Sequence, residues 1–216
     1  MADGSMPAGY AGRVDVGCVR GSQGLQRLID DPGIRDVLDI GSGAGEHARI
    51  MRAAGLRVFS VDLAPPADHV GDFMSWHSDQ IGFDAVWLCH VLEHQPSPGG
   101  FLAKVRSHLR PGGLLFVTVP PLKHEIVGGH VTLWNAGLLL YQLILAGFDC
   151  RRARVGTYAS GPDFPPYNIT AIVQRPVAPL DLPPLKMDRG DIETLAPFFP
   201  VPVAHGFDGR LPDIDW

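Results

Sequence analysis

Two sets of residues have types and spacings that imply chemistry. The first is Val37-Leu38-Asp39-Ile40-Gly41-Ser42-Gly43-Ala44-Gly45, a short apolar run that breaks into alternating glycines. The apolar run reads as a strand buried on both faces, and the following Glu46 to Ala54 as a helix, so the glycines occupy a strand-to-helix turn. Glycine is required where the backbone takes positive φ or lies against a ligand, and such turns face nucleotide-type molecules. A dinucleotide fingerprint, G-x-G-x-x-G, would place its third glycine where Glu46 stands, and a carboxylate there would oppose a pyrophosphate. Asp39, two residues before Gly41, is placed to meet a cationic ligand end. A sulfonium with an amino-acid tail fits this loop better than a diphosphate. The second set is histidine-rich: His90-x-x-Glu93-His94, then His124 and His130. Imidazole titrates near pH ~6.5, which suits it to move protons at neutral pH.

The segment Asp39 to Gly45 resembles the first motif of the class I S-adenosylmethionine-dependent methyltransferases, an acidic residue, any residue, then G-x-G-x-G. Further on, Phe83-Asp84-Ala85-Val86 with Val91-Leu92-Glu93-His94 is similar to the fourth-strand segment of many small-molecule methyltransferases. Leu109-Arg110-Pro111-Gly112-Gly113 followed by Leu115 and Pro120 resembles the family's last common motif. The resemblance spans roughly residues 35 to 175. It implies S-adenosylmethionine as cofactor, held by Asp39 and the backbone of Gly41, Ser42, Gly43 and Gly45. Asp62 with Leu63 would meet the ribose, Asp72 and Phe73 the adenine, and Cys89 or His90 the methionine part. Asp62 also suits that role on chemical grounds, because a carboxylate at a strand end offers a planar acceptor pair to a cis-diol. Quinone-biosynthesis O-methyltransferases carry a metal-binding acid cluster where His90, Glu93 and His94 stand. His90 in place of an acid disfavours magnesium, so no metal is expected. Helix-start capping by Glu93 and local hydrogen bonding by His94 are expected instead.

The reaction that the resemblance implies is methyl transfer to a small-molecule acceptor. The segment from His124 to Trp134 follows the fifth strand on a Gly128-Gly129 hinge, which makes His130 and His124 the leading general-base or substrate-orienting residues, with His90 approaching from the fourth strand. This segment looks like that of methyltransferases associated with bacterial surface polysaccharides and other secondary metabolites, which points to a sugar derivative or secondary metabolite as acceptor. The competing classes are a methyltransferase-like binding or scaffold subunit without catalysis and a nicotinamide-dependent oxidoreductase. Glu46 opposes the last.

The elements that must position these residues alternate between strand and helix patterns, predicting a Rossmann-like α/β domain over 22–175 with helices on both faces of a seven-stranded, mostly parallel sheet. Strands are expected at 37–40, 56–62, 69–73, 83–90, 114–119, 148–158 and 167–173. The last two have no helix between them and should form a hairpin at the sheet edge, with the last strand antiparallel. Helices are expected at 23–31, 46–54, 101–110 and 136–146. Residues 1–21 read as a loose arm, rich in glycine and small residues. The prolines spread from Pro176 to Pro212 forbid long helices except around Asp191 to Leu195, and Phe198, Phe199, Phe207 and Trp216 make this stretch too apolar for a free tail. It should pack on the domain or on a second subunit as a homodimer.

The chain of 216 residues carries a formal charge of -5, which argues against a nucleic-acid binder. The cysteines Cys18, Cys89 and Cys150 are odd in number and far apart, giving neither a disulfide framework nor a zinc site. The longest apolar run, Ala136 to Ala146, is broken by Gln142 and falls short of the roughly 20 residues that cross a bilayer. No membrane partner and a cytoplasmic location are therefore expected.

Overall fold

The computed structural model describes residues 16, 19–77 and 82–216. Most of the arm expected over 1–21, including Cys18, lies outside the described residues. Seven strands form one sheet: β1 Asp36–Ile40, β2 Arg57–Asp62, β3 His69–Val70, β4 Phe83–Cys89, β5 Leu109–Val119, β6 Asp149–Tyr158 and β7 Asn168–Gln174. Their order is β3-β2-β1-β4-β5-β7-β6. All neighbouring pairs from β3 to β5 are parallel, while β7 runs antiparallel to both β5 and β6. This is the Rossmann-like sheet anticipated, with the last strand reversed and inserted between β5 and the edge strand β6.

The central strands are apolar on both faces because helices cover both. Along β1 and β4 alternate residues enter different cores, as the period of two requires. Val37, Ala85 and Trp87 join Leu25 and Leu28 of α1 (Ser22–Asp30) and Ile50 and Met51 of α2 (Glu46–Ala53). Leu38, Val86 and Leu88 join Phe101, Leu102 and Val105 of α3 (Pro98–His108) and Leu139, Leu140 and Leu143 of α4 (Ala136–Leu145). Asn135 caps α4, its side-chain oxygen accepting from the Leu138 amide at 2.8 Å.

Three boundaries differ from the sequence-based expectation. The third strand stops at Val70, and Asp72 to Ser75 form a turn, so Asp72 and Phe73 project from a loop. α3 begins at Pro98 rather than 101, since proline at the first helical position needs no amide partner. The same helix ends at His108, and Pro111-Gly112-Gly113 is not a turn ending it. The register with β4 shifts between Phe83 and Ala85, so these residues form an irregularity within β5.

Residues after Gln174 run back over the domain. A short helix, α5, Asp191–Leu195, buries Leu195 in the core with Phe199, and Ile214 bridges β6 at Val155. No helix among the described residues is long and apolar enough to cross a membrane.

Candidate functional site

The carboxyl ends of β1, β2 and β4 open on a cleft, as the crevice rule for open parallel sheets requires. One cavity, of about 260 Å³, is walled by Gly41, Asp62, Leu63, Asp72, Phe73, His90, Val91 and His94, among others. A second, of about 400 Å³, is walled by Arg20, Gly41 to Ala44, Glu46, His47, Cys89 and His90. Gly41 and His90 belong to both, so the two form the lobes of one cleft, and every cofactor residue named from the sequence except Asp39 and Gly45 lines it.

Asp39 lies just beneath. It is 1% exposed, and its Oδ2 has no hydrogen-bond partner among the described residues; nor has the buried Oγ of Ser42. Burial pushes the Asp39 carboxyl up to about 7, only partly opposed by Arg52. A buried carboxyl with one oxygen unsatisfied, next to a cleft, is placed to be ionised by an arriving cation.

The glycine loop works differently from a phosphate cradle. Its amides are spent inside the protein: Gly41 N–H donates to Val61 O at 2.8 Å, Gly45 N–H to Ser42 O at 2.9 Å and Gly43 N–H to Asp62 Oδ2 at 2.7 Å. The expectation that loop amides face the ligand is thus corrected for these residues. Gly41 has φ 74, and a Cβ there would lie 2.2 Å from Val91 Cγ2, so its glycine is demanded by β4's own continuation rather than by ligand approach. Asp62 is held at Oδ2 by Gly43 and at Oδ1 by the Ala64 amide (3.0 Å). Each oxygen keeps a second lone pair, so the carboxylate is oriented and still able to accept from a diol.

Asp72 is likewise fixed, Oδ1 accepting from the Met74 amide at 2.9 Å, while Phe73 is buried against Phe101 and Trp76. Leu63 is 75% exposed at the cavity rim. The Cys89 thiol, whose pKa burial drives far upward, gives its hydrogen to Arg20 O at 3.6 Å and is a wall rather than a nucleophile.

The histidines regroup. His90, with φ 56, has Nδ1 3.2 Å from Glu93 Oε1 and Nε2 3.1 Å from Asn168 Oδ1, and its ring stacks on Tyr167. Both nitrogens face acceptors, so neither is free to take a proton from a substrate, which removes the geometric basis for His90 as a base. His124 is exposed and does not line the cavity that Lys123, Glu125 and His130 line beyond β5. Instead His130 meets His94, ring centroids 4.9 Å apart and edge to face. His94 Nδ1–H donates to Gly129 O at 2.7 Å, which leaves Nε2 of the neutral ring as the acceptor, 3.9 Å from Glu93 Oε1. Gly129 has φ 80, and a Cβ there would stand 3.1 Å from His94 Nδ1. Glu93 is fully buried and also holds the segment by its backbone, its carbonyl accepting from the Val131 and Thr132 amides.

His94 was expected only to bond locally, and its contact with His130 spans a sequence separation that periodicity does not register. The donor atoms of Glu93, His94 and His130 lie within 4.8 Å of one another. His130 therefore takes the place that the H-x-x-E-H run would give to His90. Arg20 and His47 were not singled out from the sequence either. His47 Nδ1 accepts from Trp87 Nε1 at 3.1 Å, and burial holds its pKa below the usual range, so it lines the cleft as a neutral ring.

Among known proteins, the model of the methyltransferase domain family matches residues 16–144. A ubiquinone biosynthesis O-methyltransferase from Xanthomonas campestris pv. campestris (strain B100) is 36% identical over 104 residues, covering 40% of this chain and 43% of that protein. The match thus spans less than half the length of the relative. In fold, the chain is similar to the 1,6-didemethyltoxoflavin-N1-methyltransferase of Burkholderia thailandensis, solved with 1,6-didemethyltoxoflavin and S-adenosylhomocysteine. The TM-score is 0.60 at 21% identity, over 71% of this chain and 77% of that one. It is also similar to a SAM-dependent methyltransferase from Archaeoglobus fulgidus, with TM-score 0.53 at 18% identity, over 66% and 86%.

Proposed function

The chain belongs to the S-adenosylmethionine-dependent methyltransferase family, and from that premise we propose that it methylates a small molecule at the rim formed by His94 and His130. The observation that carries this reading is the buried Asp39 carboxyl, whose Oδ2 has no hydrogen-bond partner among the described residues, next to a two-lobed cleft. A cationic α-amino group supplies what Asp39 lacks, and Asp62, Asp72 and Phe73 are arranged for a nucleoside in the other lobe. Bound there, S-adenosylmethionine supplies an electrophilic methyl on a sulfonium leaving group. The remaining work of the protein is to orient the acceptor and remove its proton.

We assign the proton to His94. Its Nε2 is the acceptor, Gly129 fixes the tautomer, and the Glu93 carboxylate at 3.9 Å stabilises the imidazolium that forms. His130 stands between the cleft and a small pocket of about 30 Å³ beyond β5, and orients the substrate against His94. His90 is a positioning residue that carries Glu93 on one side and Tyr167 on the other. The acceptor enters past the exposed Leu122, Ile126, Val131 and Leu133, so it combines a polar hydroxyl or amine with an apolar portion. A sugar derivative or secondary metabolite meets that description only if it carries such an apolar part.

Calorimetry with S-adenosylhomocysteine and with NADH, followed by detection of S-adenosylhomocysteine formed over an acceptor panel, tests the reading. We expect binding of the first ligand alone and turnover with an amphipathic hydroxylated acceptor. Binding of NADH in its place would support the oxidoreductase alternative, which the internally spent loop amides disfavour because they leave little to hold a pyrophosphate. Tight S-adenosylhomocysteine binding with no turnover on any acceptor would favour the non-catalytic scaffold.

A further inference from the structure

The helix that begins at the cleft is held from far along the chain. α1 starts immediately after Arg20 and Gly21: Arg20 lines the lobe beside the glycine loop, and Gly21 is buried behind the Cys89 that walls the same lobe, where an added Cβ would meet Cys89 Sγ at 2.8 Å. Gly21 N–H donates to Asn168 Oδ1 at 3.0 Å, the same oxygen that faces His90 Nε2. The exposed side of α1 is gripped by Trp216, whose Nε1–H donates to Gln23 Oε1 at 2.7 Å. Arg27 lies over the Trp216 ring, 4.5 Å from its centroid.

Trp216 in turn is seated on β6. Its ring stacks on Tyr158 at 5.5 Å and 17°, directly over Gly156, where an added Cβ would fall 2.1 Å from the indole. The segment leading to it is laced to the same strand by Ile214, which exchanges backbone hydrogen bonds with Val155, and by Asp213 Oδ1, which accepts from the Thr157 amide at 2.9 Å. Tyr158 completes the circuit, because its hydroxyl accepts from the Gly24 amide of α1 at 3.1 Å and bonds Thr170 Oγ1 at 2.7 Å. One indole thus joins the edge strand to the helix that follows Arg20 at the cleft and Gly21 behind Cys89.

We propose that Trp216 is a positioning residue for cofactor binding, a clasp that locks α1 onto β6 and so fixes Arg20 and Gly21 against the cleft wall. The proposal rests on the reading of the cleft as the S-adenosylmethionine site. Short helices gain most of their order from tertiary packing, and α1, with nine residues, depends on what grips it. Removing the grip leaves the sheet core intact and frees the wall of the methionine-side lobe.

The test is a set of variants in the full chain: Trp216→Ala, Trp216→Phe, Gly156→Ala, the pair Gln23→Ala with Arg27→Ala, and Gly156→Ala combined with Trp216→Ala. Each is read by calorimetry with S-adenosylhomocysteine and by amide hydrogen exchange across residues 22–30. Trp216→Ala is expected to weaken S-adenosylhomocysteine about tenfold and to cut α1 protection by a similar factor at a temperature well below its melting point. Trp216→Phe, which keeps the ring on Tyr158 and under Arg27, should recover most of both. Gly156→Ala should reproduce the loss by evicting the indole, and adding it to Trp216→Ala should change little further, as coupled residues require. The Gln23 and Arg27 pair tests the same link with Trp216 still seated, should either of the other substitutions prevent folding. Affinity and α1 protection within twofold of wild type in these variants would overturn the clasp. Wild-type protein that fails to bind S-adenosylhomocysteine would count against the cofactor reading instead, while loss of α1 protection would still report on the grip of Trp216.

Discussion

His94 and His130 stand edge to face with their ring centroids 4.9 Å apart, one lining the cleft and the other the cavity beyond β5. The contact joins the short 3₁₀ helix Leu92–His94 after β4 to a segment after β5, and Glu93 fastens the two by its carbonyl. If His94 accepts the substrate proton, His94→Ala should lower kcat by roughly 10²–10⁴-fold with S-adenosylhomocysteine affinity nearly unchanged. His130→Ala should act chiefly on the acceptor KM, and His124→Ala should leave both parameters near wild type. Steady-state kinetics against a turned-over acceptor checks all three, and a His124 variant as impaired as the His94 variant would refute the assignment.

Asp39 gives a pH dependence with a definite sign. Its carboxyl is raised to about 7 in the folded protein, above its ordinary 3.8. The ligand-free fold therefore holds the proton more tightly than the unfolded chain does. That contribution to stability is present at low pH and is lost as pH rises from about 4 through 7. Ligand binding runs the other way, because a cationic amino group wants the carboxylate. Calorimetry should show S-adenosylhomocysteine affinity about tenfold lower at pH 6 than at pH 8, with proton release on binding below pH 7. Asp39→Asn should bind weakly at every pH and with a flat profile.

Gly41 supplies a prediction on stability. With φ 74 and Val91 Cγ2 only 2.2 Å from a built Cβ, Gly41→Ala both strains the backbone and overpacks the base of the cleft. A loss of about 1–3 kcal/mol in denaturant unfolding is expected. Combining it with Val91→Ala should recover the steric part and leave the conformational part.

Glu93, His94 and His130 have their donor atoms within 4.8 Å, yet the mechanism proposed needs no ion. Activity measured after exhaustive treatment with a chelator should equal that of untreated protein. A loss restored by one divalent cation would place a metal at these three residues and displace His94 as the base.

The fold was legible in the sequence because the strands of its centre, such as Val37–Ile40 and Ala85–Leu88, are buried on both faces and read as unbroken apolar runs. Boundaries failed where a local signal had two uses: Pro111-Gly112-Gly113 fits a turn and also a break in strand pairing, and the backbone of β5 takes the second. The placing of Asp39, the glycines and Asp62 at the cleft was legible for a related reason, since they lie at strand ends whose positions follow from those runs. The grouping of the histidines was less so. His90 looked free in a string of letters but is spent on Glu93 and Asn168, the latter far away in the chain. His94 looked occupied but acquires His130 only when the segment after β5 folds back. Arg20 drew no notice because its place depends on α1, and α1 depends on Trp216.

The reversal of β7 decides which connection reaches the cleft edge of the sheet. In a sheet of parallel strands only the connections that leave each strand reach the ligand edge, and those that enter it lie on the far side. A strand running the other way turns this around, so β7 contributes its beginning to that edge. Tyr167 and Asn168 precede and open β7, level with the ends of β5 and β6 through the pairings of Val119 with Ile169 and Tyr158 with Asn168. The whole β6–β7 connection is thereby delivered to the ligand side. Its residues 159–166 join no strand and carry no cofactor residue named here, so the length and composition of this loop can vary without disturbing Asp39, Asp62 or the glycine turn.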